Sequence, residues 1–508
     1  MKLSSILDKI KNQQSVQYDV AVNGEIIADL EIDEVTSDSR KCSANCAFFI
    51  LPSYSRSTIH QEPDFIKQAV TNGAKLVVAE SFSAESLQLC KANNAVAIKT
   101  DKVFPFLVKF LQIFYAPLPT NIYAVTGTNG KTSSAEFIRQ ILNLCHKKSA
   151  SVGTLGIVTI EDVDGLEETS LTTPDIASLY RNLHILKKNN IDDVAMETSS
   201  IGLVQERMAG INIGVGAFTN FTQDHLDYHK TMEEYFRCKS LLFSQDLESG
   251  SYAVLNADIA EYDTLQKICQ ARNIKVLDYG YNANYLKLIS AQTNSKGQEI
   301  VIEFTNKIYR VQLSVVGEFQ VMNILCALAC VAAKIDIDEV MMQNLLKNFD
   351  GLKPAAGRMQ LVTNSSNEVQ ILIDYAHTPD AMDNALRLSR KMTKNRVLVL
   401  FGCGGNRDSK KRAMMGRIAS MLADIVIVTD DNPRKEDAAA IRAEILSNCD
   451  ERKTIEIADR KAAIKEAITM LESGDLLLIA GKGHEKYQII GEQKFEFDEE
   501  KIVKSFIK

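Results

Sequence analysis

Residues 122–133 read IYAVTGTNGKTS, and this short stretch indicates a β-strand, a tight turn and the start of a helix. The apolar residues before Gly127 are typical of a buried strand, and a helix is predicted over about 131–146. A phosphate needs converging backbone N–H groups, the positive end of a helix and a cation. Gly127 and Gly130 supply the backbone freedom, and Lys131 supplies the cation. The stretch therefore predicts a phosphate-binding loop in a parallel sheet of an α/β protein.

The loop departs from the common pattern G-x-x-x-x-G-K-[ST]. Val125 stands where that pattern has its first glycine, and a glycine occurs at 127 instead. The departure indicates a shorter loop, distinct from that of motor ATPases and G proteins. The alternative is a glycine-rich turn in which Gly-Lys-Thr is incidental.

Strand-like and helix-like segments alternate on both sides of this stretch. Near-continuous apolar strands of this kind predict parallel sheets that are covered on both faces. The segments 115–121 and 351–358 carry prolines or glycines and are interpreted as linkers. A chain of 508 residues predicts about three domains. We place them at 1–117, 118–352 and 353–508.

Composition disfavours several classes of function. The net charge is −7 and no long basic block occurs, which disfavours nucleic-acid binding. The longest apolar run, within 324–333, is far shorter than the ~20 residues that span a bilayer. The N-terminus shows no signal-peptide core, so we expect a cytoplasmic protein. The ten cysteines of the full sequence are expected to be ordinary thiols.

Acidic and histidine side chains follow two further predicted strands. Glu197 comes directly after one strand, where phosphate-loop proteins keep an acidic magnesium partner. Asp224, His225 and His229 follow another. A single histidine in such a place is more often a hydrogen-bonded structural residue. Together with the loop, these residues predict a metal–ATP site at the carboxyl ends of the strands.

A set of motifs in a fixed order resembles the Mur ligases of bacterial peptidoglycan synthesis. The match covers about 120–490, and the first hundred residues match weakly, mainly through TSDSRK (36–41). The motifs are TGTNGKTS (126–133), TTPD (172–175), METSSIGLVQERM (196–208), FTNFTQDHLDYH (218–229), GRM (357–359), DYAHTPDAM (374–382), GCGGNRD (402–408), DNPR (431–434) and GKGHE (481–485).

The resemblance implies an α/β protein of three domains, with a central P-loop ATPase-like parallel sheet and a C-terminal Rossmann-like domain. It also implies an ADP-forming amide ligase that uses ATP and Mg²⁺ in the cytoplasm for cell wall biogenesis, and hence for cell shape and cell division. The branch that it resembles most adds the third amino acid to UDP-N-acetylmuramoyl-L-alanyl-D-glutamate through an acyl phosphate. The resemblance suggests a monomer without a membrane span.

The resemblance assigns roles to residues of the loop and of the predicted third domain. Asn323 is expected near the adenine, whereas Arg358, Asp374 and His377 are expected to close over ATP. The ATP-binding set is Gly127, Thr128, Asn129, Gly130, Lys131, Thr132, Ser133 and Asn323. The catalytic set is Lys131, Glu197, His225, Lys239, Arg358, Asp374 and His377.

Lys239 matches a lysine that the family carries as a carbamate, N6-carboxylysine. The modification turns a cation into an anion that coordinates metal. The implied magnesium ligands are Thr132, Glu197, His225 and the modified Lys239. From the residue alone, Lys239 would be a solvated side chain of a helix.

The UDP-linked substrate is expected to contact residues from the first two predicted domains. The alternatives are that the two threonines cap a turn before Pro174 and that Arg207 is a surface helix residue. The implied contacts are Ser39, Thr172, Thr173, Ser199, Gln205 and Arg207.

The amino-acid substrate is either meso-diaminopimelate or L-lysine, which differ by one distal carboxylate. Arginine binds a carboxylate through two parallel hydrogen bonds, so Arg434 favours diaminopimelate. The alternative is a proline turn with a surface arginine. The expected pocket is Arg407, Asp431, Asn432, Pro433, Arg434, Gly481 and Glu485.

Three other interpretations of the sequence are weaker. A dinucleotide fingerprint starting at Gly402 is rejected, because Arg407 stands where its last glycine belongs. A P-loop switch without ligase activity does not explain the motifs of the predicted third domain. Folylpolyglutamate synthetase shares the loop but not the full motif set.

The sequence departs from the usual Mur ligase motifs at two positions. Ile201 stands where the family usually has His, and Asn406 stands where it usually has Asp.

Overall fold

The computed structural model describes residues 1–12, 16–51, 62–168, 171–224, 226–294, 297–362 and 369–507. These residues form three large sheets in chain order, with five, ten and six strands, and one small hairpin. The predicted mixed α/β fold with parallel sheets is confirmed. The exact boundaries at 117/118 and 352/353 stay a prediction.

The first sheet has the strand order β1-β5-β4-β3-β2, and all neighbours are parallel except β1 and β5. Its elements are α1 (Leu3–Asn12), β1 (Asp19–Val22), β2 (Glu34–Thr36), β3 (Cys46–Phe49), α2 (Glu62–Thr71), β4 (Ala74–Ala79), α3 (Ala84–Ala92), β5 (Val96–Lys99) and α4 (Val103–Phe114).

The second sheet begins with elements that include the quoted stretch. These are β6 (Asn121–Thr126), α5 (Lys131–Leu144), β7 (Ser149–Gly153), β8 (Gly156–Val158), α6 (Ile176–Lys188), β9 (Asp193–Glu197), α7 (Ser200–Val204), β10 (Val215–Phe218), α8 (Leu226–His229), α9 (Met232–Leu241) and β11 (Tyr252–Asn256). It continues with α10 (Tyr262–Ala271), β12 (Lys275–Gly280), β13 (Leu286–Asn294), β14 (Gly297–Phe304), β15 (Lys307–Leu313), α11 (Glu318–Ala332) and α12 (Glu339–Leu346).

The strand order of this sheet places the quoted stretch at its centre. The order is β15-β14-β13-β12-β11-β10-β6-β9-β7-β8, and the strands from β13 to β7 are parallel. β6 lies between β9 and β10, so the segments after these three strands meet at one edge. β14, β15 and β8 are antiparallel additions at the two sides.

Both faces of the central sheet are buried, because alternate residues of β6 point to opposite cores. Tyr123 and Val125 pack with α5 and α11, whereas Ile122 and Ala124 pack with α4 and α6. The core that contains Ile122 and Ala124 also includes residues of the first sheet, so the first sheet and the central sheet share apolar packing. The phosphate loop is thereby fixed between two rigid layers.

The third sheet has the order β16-β17-β21-β18-β19-β20, and only β16 is antiparallel to its neighbour. Its elements are β16 (Gln360–Leu361), β17 (Gln370–Asp374), α13 (Pro379–Met392), β18 (Val397–Phe401), α14 (Lys410–Leu422), β19 (Ile425–Val428), α15 (Ala438–Leu446), β20 (Thr454–Glu456), α16 (Arg460–Thr469), β21 (Leu476–Ala480), β22 (Tyr487–Ile490), β23 (Gln493–Glu496) and α17 (Glu499–Phe506).

The apolar runs within 75–80, 192–197, 214–220 and 252–256 form strands, and so do the five apolar runs that alternate with helices after residue 368. Local patterning did not reveal the short strands β1, β2, β7, β8 and β16 or the hairpin β22–β23. Two to five residues give little periodicity, and these strands depend on their partners. In the described part of the chain, no helix is long and apolar enough to cross a membrane.

Candidate functional site

The phosphate loop follows β6 and is shaped by two glycines with positive φ. Gly127 has φ 141° and Gly130 has φ 85°, which L-residues with a side chain rarely adopt. Space is also short: a Cβ on Gly127 would lie 2.0 Å from Thr219 Oγ1, and one on Gly130 would lie 2.4 Å from Asn323 Oδ1. The loop is therefore a tight turn that brings the N-terminus of α5 to the edge of the sheet.

Lys131 is folded back over this loop. Its ammonium donates hydrogen bonds to the carbonyl oxygens of Gly127 (2.9 Å) and Thr128 (2.8 Å). Removal from water lowers the pKa of Lys131, and the negative charges of Glu197 and Asp224 oppose that effect. The lysine is thus held where an anion in the loop would meet its charge.

Glu197 ends β9 beside the start of α5. The Thr132 hydroxyl donates to Glu197 Oε2 at 2.9 Å. Thr154, which follows β7, donates its backbone N–H to Oε1 (2.7 Å) and its hydroxyl to Oε2 (3.1 Å). Hydroxyl and carboxylate oxygens are the donors that Mg²⁺ prefers, so this pair fits the predicted ion. Among the described residues, no three His, Cys, Asp or Glu side chains form a ready metal cluster.

Lys239 is buried, and the alternative of a solvated side chain is wrong. The residue is 1% exposed, and its ammonium donates to Gly127 O at 2.7 Å. It also lies 4.6 Å above the ring of Tyr235. Burial lowers the pKa of Lys239 well below its usual value, and repulsion from Lys131 adds to this. A neutral amine is the form that reacts with CO2, so the surroundings fit carbamate formation.

The segment after β10 brings Asp224 and His229 to the same edge. The charge of Asp224 acts on both Lys131 and Lys239. His229 is buried, with Nε2 2.8 Å from Ser200 Oγ and its ring stacked on Tyr235. His229 therefore lies in a structural hydrogen-bonded place. His225, predicted to bind metal, lies outside the described residues.

Residues beside the third sheet reach the phosphate loop. An Arg358 guanidinium nitrogen lies 3.2 Å from Thr132 Oγ1 and donates to it. The same guanidinium lies 4.8 Å from the centre of the Tyr375 ring. Asn129 Nδ2 donates to Asp380, at the start of α13, at 3.1 Å. The part of the chain after residue 352 thus contacts the phosphate loop in this structure.

Asp374 and His377 contact the backbone of the segments that carry Arg358 and Tyr375. Asp374 is buried and accepts the backbone N–H groups of Met359 (2.6 Å) and Ala376 (2.7 Å). It fixes the turn that carries Arg358. His377 Nδ1 lies 2.9 Å from Tyr375 O, and burial lowers the pKa of His377 to about 4. The imidazole is therefore neutral near pH 7.

Asn323 on α11 lies directly against the loop. Its Oδ1 accepts a hydrogen bond from Ser134 at 3.4 Å and faces Gly130. Its predicted contact with adenine stays a prediction.

Four of the residues expected to hold the UDP-linked substrate form one cluster. Thr173 Oγ1 donates to Glu197 O and accepts from Ser199 N. Arg207 donates to Thr173 O (2.6 Å) and to Gln205 Oε1. Thr172 lies alongside, with its hydroxyl 3.3 Å from that of Thr154.

Of the two alternatives for this cluster, the surface helix position of Arg207 is wrong, and turn-capping by the threonines before Pro174 stays a prediction. Asp175, rather than a threonine, caps α6 by accepting from Ser178 N. Arg207 is half-buried and lies beyond the end of α7, so it is not a surface helix residue.

Ser39 lies at the edge of the first sheet. It is buried and donates to Gln68 at 2.6 Å. Two residues on, Lys41 crosses to the central part and pairs with Glu167 (2.5 Å) and Asp175 (3.8 Å). Ser39 thus stands near the Thr173 side of the site without touching the cluster.

The predicted amino-acid pocket is built at the carboxyl ends of β19 and β21. Asn432 Nδ2 donates to Glu485 Oε2 at 2.8 Å, which joins two of the predicted contacts. A Cβ on Gly481 would lie 2.8 Å from Asp431 Oδ2, so this position needs glycine. The pocket residues Asp431 and Asn432 are buried.

Arg434 and Arg407 flank this pocket. Arg434 has φ 53° and donates to Gly405 O at 2.9 Å, the residue after Gly404 in the neighbouring loop. Pro433 packs under that loop, since a Cβ on Gly405 would lie 1.9 Å from Pro433 O. Arg407 is exposed and forms no ion pair with any described residue, so its charge is available. Arg434 is therefore held by backbone contacts rather than being a free surface side chain.

Comparison with known proteins settles the family. The model of the Mur ligase middle domain matches residues 125–331, and the model of the Mur ligase glutamate ligase domain matches residues 357–483. This chain belongs to the Mur ligase family.

Individual Mur ligases are similar over nearly the whole length. UDP-N-acetylmuramoyl-L-alanyl-D-glutamate--2,6-diaminopimelate ligase of Rickettsia bellii (strain RML369-C) is 41% identical over 473 residues, which are 92% of this chain and 94% of the relative. A solved structure of a ligase with the same name is 31% identical, with a TM-score of 0.64 and 94% of both chains covered. MurF ligase of Thermotoga maritima in complex with ADP shares the fold at 18% identity, with a TM-score of 0.60 over 89% of this chain and 94% of that one.

Some residues of this Mur ligase site carry no signal strong enough to be found in the sequence. Tyr235 below Lys239 and Thr154 beside Glu197 depend on contacts between distant segments. Tyr375 and Lys482 lie inside recognised motifs, so the motif positions themselves were the available signal. The departure Asn406 has φ 53°, a conformation that asparagine tolerates well.

Arg358→Ala is expected to reduce kcat of this Mur ligase by about 10²-fold, because it removes one donor aimed at the loop. The thermal midpoint should change little, since Arg358 is not part of an apolar core. Steady-state ADP release measures the effect. Arg387→Ala, at an exposed arginine paired with Asp383 on α13, is the matched control. A kcat equal to that of the control would show that Arg358 does not act on the nucleotide.

Proposed function

We propose that this Mur ligase joins meso-diaminopimelate to UDP-N-acetylmuramoyl-L-alanyl-D-glutamate with release of ADP and phosphate. The observation that carries the proposal is the 3.2 Å contact between Arg358 and Thr132, which joins the phosphate loop to the part of the chain that holds the amino-acid pocket. The names of the similar ligases support the same reaction. We further propose that it acts in the cytoplasm as a monomer, in the synthesis of the peptidoglycan precursor.

The chemistry requires activation, because a carboxylate does not form an amide with an amine near pH 7. Transfer of the γ-phosphoryl group of ATP to the glutamate carboxylate makes an acyl phosphate. The amine of the incoming amino acid then attacks the acyl carbon, and phosphate leaves. Lys131 and Arg358 spread the charge of the transferring group, because both are held at the loop before the reaction.

We assign ATP to residues 127–133, with Asn323 on the far side of Gly130. Mg²⁺ would be held by Thr132, Glu197, His225 and carboxylated Lys239, and would neutralise phosphate charge. The hard oxygen donors of Thr132 and Glu197 support this assignment. A MurF ligase of the same fold was solved in complex with ADP, which supports an adenine nucleotide as a ligand.

Carboxylation of Lys239 is proposed from its surroundings. The neutral amine nitrogen attacks the carbon of CO2 and loses one proton to water, which leaves a carbamate anion. The product is an anion at a position that is 1% exposed in the unmodified lysine, whose charged form is repelled by Lys131. The modification thus supplies a negative partner for the Lys131 ammonium.

The UDP-linked peptide is assigned to the Thr173 cluster. The polar groups of this cluster lie on the Glu197 side of the phosphate loop. A glutamate carboxylate bound to them would therefore lie near the γ-phosphate of ATP. We propose Thr172, Thr173, Ser199, Gln205 and Arg207 as contacts, with Ser39 toward the uridine.

The distal carboxylate of diaminopimelate is assigned to Arg434 and Arg407, and its ammonium to Glu485. L-lysine lacks this carboxylate, so it would leave a positive, partly desolvated pocket unpaired. Sites built to pair a polar group reject the analogue that lacks it by as much as ~10⁴-fold. This favours diaminopimelate over lysine.

Arg434→Ala is expected to raise KM for meso-diaminopimelate by about 10²-fold and to narrow the preference over L-lysine. The KM for ATP should not change, because Arg434 lies in the amino-acid pocket. Initial rates with each amino acid measure both effects. Arg452→Ala is the matched control, since this arginine is exposed and pairs only with Asp450. An unchanged KM for diaminopimelate would contradict the assignment.

A switch that hydrolyses ATP without making a bond is the alternative from another class. Measuring ADP release with and without each substrate distinguishes the ligase from the switch. The ligase releases ADP at its full rate only when the UDP-linked dipeptide and the amino acid are both present. ATP hydrolysis at an unchanged rate without them would support the switch.

A further inference from the structure

We propose that Lys482 is the positioning residue of the amino-acid pocket: its buried ammonium fixes Asn432 and Glu485 in the geometry that receives the distal end of the substrate. The inference rests on the proposed function, whose pocket it completes. Lys482 itself is not placed to touch the substrate, because its side chain is 0% exposed.

The ammonium of Lys482 makes two hydrogen bonds to described residues and lies 5.9 Å from the centre of the Tyr487 ring. Its ammonium donates to Asn432 Oδ1 at 3.0 Å and to Glu485 Oε2 at 3.3 Å. Asn432 Nδ2 donates to the same Glu485 oxygen at 2.8 Å. The three side chains form a closed triangle in which each contacts the other two.

This triangle determines which way the Asn432 amide faces. Oδ1 accepts from Lys482 and from the backbone N–H of Ile489 at 2.9 Å, so the oxygen must face these two donors. The NH2 group is then directed at Glu485. Without the ammonium, Oδ1 would keep only the Ile489 donor, and the amide would be less strongly held.

The same triangle determines how Glu485 is presented. Oε2 is occupied by two donors, whereas Oε1 accepts no hydrogen bond from the described residues. The Glu485 side chain is 15% exposed, whereas that of Lys482 is fully buried. Lys482 thus leaves one carboxylate oxygen available for an incoming ammonium and holds the other in place.

The effect extends to Arg434 through the backbone. Ile489, held by Asn432 Oδ1, accepts the Arg434 backbone N–H at 3.1 Å, and Gly491 N donates to Arg434 O at 2.7 Å. The hairpin β22–β23 therefore aligns Arg434 with the Asn432 side chain. A single buried cation organises both ends of the proposed recognition: the carboxylate that takes an ammonium and the arginine that takes a carboxylate.

The test is Lys482→Met, which removes the charge and keeps the length of the side chain. We expect KM for meso-diaminopimelate to rise on the order of 10²-fold, because truncating one partner of a buried charge pair leaves the other uncompensated. The kcat and the KM values for ATP and the UDP-linked dipeptide should stay within about twofold of wild type, the pattern of lost ground-state binding. Lys486→Met is the control, because Lys486 is exposed and lies in the same loop.

A mutant cycle in the background Asn432→Ala/Glu485→Gln, which removes both hydrogen-bond partners of the Lys482 ammonium, separates positioning from general stability. If Lys482 acts through Asn432 and Glu485, adding Lys482→Met to this background leaves KM for diaminopimelate about the same. Should K482M alone fail to fold, equal KM values for the background and the triple variant still support the inference, and a further large rise in the triple variant overturns it.

Two results would overturn the inference directly: a KM for diaminopimelate in K482M equal to that in K486M, or an equal rise in KM for all three substrates. The second result would show a structural role. A wild-type enzyme that makes no diaminopimelate product would instead overturn the proposed function, and the inference with it.

Discussion

Lys131→Ala should reduce kcat by about 10³-fold and leave the fold intact, because it removes the cation that is held at the phosphate loop before phosphoryl transfer. Among the described residues this ammonium donates to two carbonyl oxygens of the loop, at 2.8 and 2.9 Å, so its loss leaves no charged side chain without a hydrogen-bonded partner. The measurement is ADP release at saturating substrates, with the thermal midpoint recorded for the same samples.

Lys147→Ala is the control for this result. Lys147 is exposed and follows the other end of α5, so the substitution is the same while the loop is untouched. Turnover near wild type in a folded Lys131→Ala protein would remove Lys131 from the catalytic residues.

Lys239→Ala should also reduce turnover by about 10³-fold, because the proposed carbamate supplies negative charge at the metal site. The smaller side chain leaves space beside Gly127 and above the Tyr235 ring. Added formate or acetate is therefore expected to restore part of the activity by supplying a carboxylate in that space. The readout is kcat as a function of carboxylate concentration.

Lys267→Ala, at an exposed lysine of α10, serves as the control. Its turnover should equal that of the wild type, and added formate or acetate should not alter it. Wild-type activity in Lys239→Ala would show that no carbamate is needed. Loss of activity without carboxylate rescue, together with a lowered thermal midpoint, would assign Lys239 a structural role.

The quoted stretch and the longer apolar runs predicted the parallel core because they encode it locally. β6, β9, β10, β18 and β21 are almost entirely buried, and a strand covered on both faces must be apolar along its whole length. The hairpin β22–β23 was missed for the opposite reason. Its residues are mostly exposed, so no apolar pattern marks it.

The site could be predicted in part, because its residues lie at strand ends and in motifs. The structure brings Thr132, Glu197 and Arg358 together, as the phosphate-loop interpretation and the family resemblance suggested. The burial of Lys239 could not be predicted, since one helical lysine has no local sign of what covers it.

Contacts between distant segments account for the rest of what the sequence did not reveal. Thr154 meets Glu197 across 43 positions and Lys482 meets Asn432 across 50. No spacing rule joins such pairs; only the order of strands in the sheets brings them together.

One competition assay tests the assignment of this Mur ligase most directly. The purified protein is given ATP, Mg²⁺, the UDP-linked dipeptide and equal concentrations of meso-diaminopimelate and L-lysine, and the products are identified by mass spectrometry. We predict the diaminopimelate tripeptide as the dominant product, formed together with one ADP per bond. A lysine tripeptide in equal amount, or ADP without any tripeptide, would contradict the assignment.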